Sequence, residues 1–131
     1  MTTLIVEIAA DRAAGKTTLG LCLALGAAAK KMPVVYVVPT EAAARFFEHE
    51  YLKHAEPDLR VMSATRAAMN FPADATFAVL DDEDRFPASD EDTTRNLILR
   101  RLDLHPRAQL VALRGAEGVQ VEGTVIRSDG G

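Results

Sequence analysis

The chain has 131 residues, 48% of them apolar and 26% charged, with a formal net charge of −4. That balance excludes a disordered segment and a strongly basic nucleic-acid binder, and it is enough chain for one domain with its own core. A lone cysteine, Cys22, excludes an intrachain disulfide, and no apolar run approaches the length of a membrane span.

Aromatic residues are only 5% of the chain, so the core must be built from Ala, Leu and Val. The sequence opens Met-Thr-Thr and passes into an apolar run without a basic region or a cleavage site. A reduced, cytoplasmic setting is expected, the host cytoplasm for a viral protein.

In chain order, Leu-Ile-Val-Glu-Ile-Ala at residues 4–9 predicts a strand, and Ala10-Asp11-Arg12-Ala13-Ala14-Gly15-Lys16-Thr17-Thr18 follows it. An apolar stretch then predicts a helix over residues 17–31. Being apolar nearly all round, it is expected to be buried on more than one side, with Cys22 inside. Pro33 stops it, and Val34-Val35-Tyr36-Val37-Val38 is the continuous run of a central parallel strand. Thr40 is placed to cap a helix over 41–54, on which Ala43, Phe47 and Tyr51 share a face.

After a turn at Glu56-Pro57-Asp58, residues 59–62 predict a third strand, and Ser63 caps a short helix over 64–69. Pro72-Ala73-Asp74 breaks the chain, and residues 76–80 predict a fourth strand that stops at Asp81-Asp82-Glu83-Asp84. Ser89 with Asp92 forms a capping box for a helix over 90–102, with acids in its first turn and Arg100 and Arg101 in its last. Residues 108–113 predict a fifth strand, left at Arg114-Gly115; residues 119–126 alternate weakly, as an edge strand or hairpin. There is no internal repeat. The expected fold is α/β: a three-layer, doubly wound, mainly parallel five-stranded sheet in a single domain over residues 1–127, with a flexible tail at 128–131.

Gly15-Lys16-Thr17 between a strand and a helix has a direct chemical reading. The N–H groups of such a loop and the positive end of the helix dipole cradle phosphate oxygens. Lys16 reaches the terminal phosphates and the Thr17 hydroxyl helps to hold Mg²⁺. Ala10 and Ala13 stand where glycines are usual, so the loop is stiffer than most, which bears on turnover. A phosphate-bound Mg²⁺ also needs an acid at a strand tip. Asp81 is favoured, with Asp82 or Glu83 deprotonating the attacking water; aligning on the Asp-Glu pair instead gives Asp82 and Glu83. Four adjacent acids repel one another, and one is expected to resist ionisation unless a cation is bound. His49, His54 and His105 lack metal-ligand spacing and read as structural or exposed.

Residues 10–17 resemble the Walker A motif of the P-loop NTPases, and residues 77–83 resemble Walker B. Within that superfamily the chain is most similar to the RecA-like ATPase lobe of helicases and viral DNA-packaging motors. Ala10 opens the loop as helicase motif I often does. Tyr36-Val37-Val38-Pro39-Thr40 with Glu41 resembles motif Ia, Asp81–Asp84 the acidic motif II, and Val111-Ala112-Leu113-Arg114-Gly115 stands in the place of motif III. The resemblance spans about residues 4–115.

It implies ATP bound by Ala10, Asp11, Arg12, Ala13, Ala14, Gly15, Lys16, Thr17 and Thr18, with Mg²⁺ on Thr17 and Asp81. Lys16, Asp82, Glu83 and Arg114 would carry catalysis, coupled to work on DNA or RNA. A second lobe does not fit in this length, so a homo-oligomeric ring or a second-lobe partner is expected to complete the site with an arginine finger. Arg95, Arg100, Arg101, Arg107 and Arg114 are candidates, with Arg114 preferred as a sensor in cis. The alternatives are a small nucleoside or nucleotide kinase, with the helix over 95–101 as its lid, and a nucleotide-sensing module without turnover. No Asn-Lys-x-Asp sequence selects guanine, which favours ATP over GTP.

Overall fold

The computed structural model describes residues 3–10, 16–51, 58–87, 93–115 and 126–127. Strands and helices alternate: β1 (Leu4–Ala10), α1 (Lys16–Ala29), β2 (Val34–Val38), α2 (Glu41–Tyr51), β3 (Leu59–Ser63), α3 (Ala64–Met69), β4 (Phe77–Leu80), α4 (Thr94–Leu102), β5 (Gln109–Gly115) and β6 (Ile126–Arg127). The strands make one sheet in the order β3-β2-β4-β5-β1-β6, and every pairing is parallel. The expected α/β architecture is therefore present. The last strand, Ile126–Arg127, is a parallel edge on Ile8 and Ala9 of β1, and the rest of the run expected as an edge strand or hairpin over 119–126 lies outside the described residues. Residues 116–125 and the tail at 128–131 lie outside the described residues.

Successive strand residues point to opposite faces, and both faces are covered. On one, Tyr36, Val79, Val111 and Leu113 pack against Ala24 and Ala28 of α1 and Phe47 of α2. On the other, Val35, Leu80 and Leu110 pack against Ala67 of α3 and Ile98 of α4. All five residues of β2 are buried, which accounts for its unbroken β-branched run.

Three helices differ from expectation in ways that matter for the site. The sheet side of α1 carries small residues, Gly20, Ala24, Ala27 and Ala28, while Cys22 and Leu23 are exposed. Its burial is one-sided, and the thiol is not in the core. The small side chains let the helix axis approach the sheet, leaving its larger apolar residues on the flanks. The helix stops at Ala29 because Lys31 adopts a left-handed backbone, φ 64°, and the Met32 N–H returns to the Ala27 carbonyl at 3.1 Å.

On α2, the Thr40 hydroxyl accepts from the Ala43 N–H at 3.1 Å, as expected of a cap. Phe47 stacks on Tyr36 with centroids 4.3 Å apart, but Tyr51 is 46% exposed and Ala44 takes the place in the core expected of Ala43. The helix over 90–102 begins only at Thr94. Its cap is Thr93, whose hydroxyl accepts from the Asn96 N–H at 3.0 Å, and its first turn holds no acid. Ser89 and Asp92 lie outside the described residues. Among the described residues no helix is long and apolar enough to cross a membrane.

Candidate functional site at the carboxyl edge of the sheet

Parallel strands deliver their connecting segments to one edge, and ligands of such sheets gather there. The register puts Ala10 opposite Gly115 and Leu80 opposite both Val37 and Ala112. The residue following Leu80, Asp81, thus leaves the sheet beside the C-terminal ends of β2 and β5. It is 4% exposed, an unusual degree of burial for a carboxylate.

Two hydroxyls converge on it. Thr17 Oγ1, in the first turn of α1, donates to Asp81 Oδ2 at 2.9 Å. Tyr36 Oη, from the middle of β2, donates to the same oxygen at 2.8 Å. Burial first, then the negative charge of Asp81 and the hydrogen bond to it, push the Tyr36 hydroxyl well above its ordinary pKa, so it stays a donor. Thr17 and Asp81 are 64 residues apart in sequence and supply a hydroxyl and a carboxylate side by side. These are hard oxygen donors of the kind Mg²⁺ takes, with its remaining positions filled by water and phosphate. Among the described residues no three His, Cys, Asp or Glu side chains gather into a metal cage.

Asp82 has a left-handed backbone, φ 55°, a conformation Asp tolerates better than most residues. It turns the chain into a single 3₁₀ turn, Glu83–Arg85, and sends the neighbouring acids apart. Asp81 points inward. Asp84 Oδ1 accepts from the Gly115 N–H at the end of β5, at 3.2 Å. Glu83 turns to α4, where Arg95 Nε and Nη2 each donate to one of its oxygens at 2.6 Å. Arg95 Nη1 also donates to Glu7 Oε1 of β1, at 2.5 Å. Burial pulls the Arg95 guanidinium down, but the hydrogen bonds to Glu83 and Glu7 outweigh it and hold it charged above its ordinary value. Arg114 Nε lies 3.8 Å from Glu83 Oε1, too far to hydrogen-bond, and has no other hydrogen-bond partner among the described residues. Glu83, Arg95 and Arg114 border a pocket of about 320 Å³ together with Phe86 and Thr94.

Of the residues expected in the loop, Ala10 ends β1, Lys16 and Thr17 open α1, and Thr18 is exposed. Asp11, Arg12, Ala13, Ala14 and Gly15 lie outside the described residues. Arg114 belongs to β5 itself rather than to the turn after it. Arg100, Arg101 and Arg107 are exposed, whereas Arg95 is committed to the two glutamates. His105 Nε2 lies 2.8 Å from the Ala73 carbonyl and His49 is exposed, as read from the sequence; His54 lies outside the described residues. The motif Ia-like residues have local work. Thr40 caps α2, and Glu41 Oε1 accepts from the Ser63 hydroxyl at 2.8 Å and from Arg66 Nε at 3.1 Å. The Ser63 hydrogen bond is the main reason the Glu41 carboxyl is held below its usual pKa; Arg66 reinforces it.

Two residues at this edge were not expected in the site: Tyr36, read only within the motif Ia-like run, and Glu7. Tyr36 carries the only polar group in a strand otherwise of valines, and Glu7 is the one charge in Leu-Ile-Val-Glu-Ile-Ala-Ala. A polar atom in the fully buried β2 needs a partner, and that need was the available signal for Tyr36; β1 is only partly buried around Glu7, whose side chain is 37% exposed, so Glu7 gave no such signal. Tyr36→Phe is expected to cost about 1.5–3 kcal/mol, the scale of a hydrogen bond to a charged group, read as a lower urea midpoint at unchanged m-value. Wild-type stability in that variant would remove Tyr36 from the support of Asp81.

No family model and no curated protein matches the chain.

Proposed function

We propose that the chain binds MgATP at the carboxyl edge of its sheet and hydrolyses it, as a P-loop ATPase whose turnover drives work on DNA or RNA. The observation that carries this reading is the 2.9 Å hydrogen bond from Thr17 to the buried Asp81. It joins the residue after Gly15-Lys16 to the acid after an apolar strand, the two positions expected to share Mg²⁺ with a triphosphate. The strand order adds support: β5, which ends at Arg114-Gly115, lies between β1 and β4. A group on β5 is thereby flanked by the strands that lead to the phosphate loop and to the metal acid, a suitable place for a sensor of the γ-phosphate.

Within this reading Lys16 neutralises the terminal phosphates and Thr17 and Asp81 hold Mg²⁺. When bound, that ion offsets charge on the β- and γ-phosphoryl oxygens. We assign the base to Glu83, because it follows Asp81 by two residues and borders the pocket between α4 and the end of β5. Glu83 takes a proton from water as the water oxygen bonds to the γ-phosphorus. The bond from that phosphorus to the bridging oxygen breaks, and the products are ADP and phosphate. The kinase alternative loses support, since Arg95, the foremost arginine of its supposed lid, is turned onto Glu83 and Glu7.

The test is the affinity for a fluorescent ribose-labelled ATP and the release of phosphate, measured for wild type and Lys16→Ala, with and without single- and double-stranded nucleic acid. Wild type is expected to bind, to release phosphate and to be stimulated by nucleic acid. Lys16→Ala should lose at least about 10²-fold in turnover, as expected on removing a charge directed at transferring phosphate. Failure of wild type to bind MgATP would overturn the proposal.

A further inference from the structure

We propose that Arg95 is a latch on Glu83: the arrangement seen here is the off state, and hydrolysis requires the Arg95–Glu83 contact to open. The inference rests on the ATPase reading and adds a control element to the same site.

The geometry carries it. Arg95 grips Glu83 with two parallel hydrogen bonds of 2.6 Å, Nε to Oε2 and Nη2 to Oε1. Fork-to-fork contact of this kind is the strongest and most directional form of the arginine–carboxylate pair. A carboxylate so held has both oxygens engaged and its negative charge offset at contact distance. While the grip lasts, neither oxygen is presented to a water molecule at the phosphate. The pair is also shielded, the Arg95 side chain being 20% exposed and that of Glu83 13%. Solvent therefore competes poorly for it.

The third bond of Arg95 explains how the latch can open without stranding a charge. Nη1 donates to Glu7 Oε1 on β1, so the guanidinium keeps one carboxylate partner when Glu83 leaves. Uncoupling a shielded pair is expensive mainly because it leaves a lone charge behind, and Glu7 removes that penalty on one side. Arg114, with its Nε 3.8 Å from Glu83 Oε1, is the cation on the other side. Glu83 therefore moves between two positive groups. Arg95 is the second residue of α4, so a displacement of the first turn of that helix withdraws the grip. Arg95 is thus a positioning residue, acting on the reaction only through Glu83.

The experiment compares steady-state phosphate release and MgATP binding for wild type, Arg95→Ala, Arg95→Lys, Glu83→Gln and the double variant Arg95→Ala/Glu83→Gln. Arg95→Ala is expected to raise kcat about tenfold, as a carboxylate freed to meet water should, with KM for MgATP within about twofold of wild type. Glu83→Gln should fall at least about 10²-fold, and the double variant should match it, because a latch has nothing to release once the base is gone. Arg95→Lys keeps the charge without the two-pronged contact and should also turn over faster; it carries the test if Arg95→Ala does not fold, which thermal melts will reveal. Should wild type bind MgATP without turnover, phosphate release in Arg95→Ala alone would support the latch. Equal or lower kcat in both Arg95 variants would overturn it while leaving the ATPase reading intact, and so would a Glu83→Gln variant of wild-type activity. Absence of MgATP binding in wild type is a separate result and would overturn both.

Discussion

Asp81→Asn is expected to lower Mg²⁺-dependent ATP turnover about 10³-fold while leaving the fold in place. A metal ion on transferring phosphate is worth several kcal/mol of transition-state stabilisation, and about 4 kcal/mol corresponds to that factor. Asn retains one acceptor oxygen at the position where Thr17 and Tyr36 donate, so the hydroxyls keep a partner. Asp81→Ala removes the acceptor as well. It leaves two hydroxyls without Asp81, one of them fully buried, and should cost roughly 2–4 kcal/mol on top of the same loss of turnover. Phosphate release as a function of Mg²⁺ concentration, paired with urea unfolding of both variants, reads the two effects separately. If Asp81→Asn turns over normally at saturating Mg²⁺, Asp81 is a structural acid and the metal belongs elsewhere.

That Asp81 stands at the carboxyl end of a strand could be read from sequence by local physics. An apolar run ending abruptly in Asp81 marks a parallel strand reaching its carboxyl edge, and β4 ends at Leu80. The strands were legible for the same reason: short β-branched runs bounded by Pro33, Pro39 and the acidic turn have few alternatives to a buried sheet. Thr17 could be paired with Asp81 only by assuming that the carboxyl ends converge, and the register of β4, β5 and β1 brings them to one edge.

What stayed hidden depends on tertiary packing. An apolar helix surface does not say which side is buried, and α1 turns Gly20, Ala24, Ala27 and Ala28 to the sheet, leaving Cys22 exposed. The start of α4 is ambiguous in sequence because Ser89, Asp92 and Thr93 are all capable caps, and local preference alone does not rank them. The partner of Glu83 could not be read at all. Arg95 is 12 residues from Glu83 and 88 from Glu7, and nothing short of the fold brings the three together.

Gly20→Ala tests how closely α1 must approach the site, and it is expected to destabilise the protein by roughly 2–4 kcal/mol. On helix propensity alone the sign would be opposite, since Ala is favoured over Gly by about 1 kcal/mol in a helix interior. Packing decides otherwise. A Cβ at Gly20 would lie 2.6 Å from Leu113 Cδ1 and 2.7 Å from the Tyr36 hydroxyl oxygen, and both side chains are fully buried. Overpacking costs about 1–3 kcal/mol, and displacing Tyr36 from Asp81 adds a lost charge-assisted hydrogen bond of about 1.5–3 kcal/mol. Gly26, on the same helix, provides the control, because a Cβ there would meet nothing within 4 Å. Gly26→Ala should stabilise by up to about 1 kcal/mol. Urea midpoints shifting in opposite directions for the two variants are the expected result. A second check follows from the shared hydroxyl: in Gly20→Ala/Tyr36→Phe the loss should be smaller than the sum of the single losses, because one oxygen is counted in both. Strict additivity would mean that Gly20 accommodates Leu113 alone, and that the approach of α1 does not govern the hydrogen bond to Asp81.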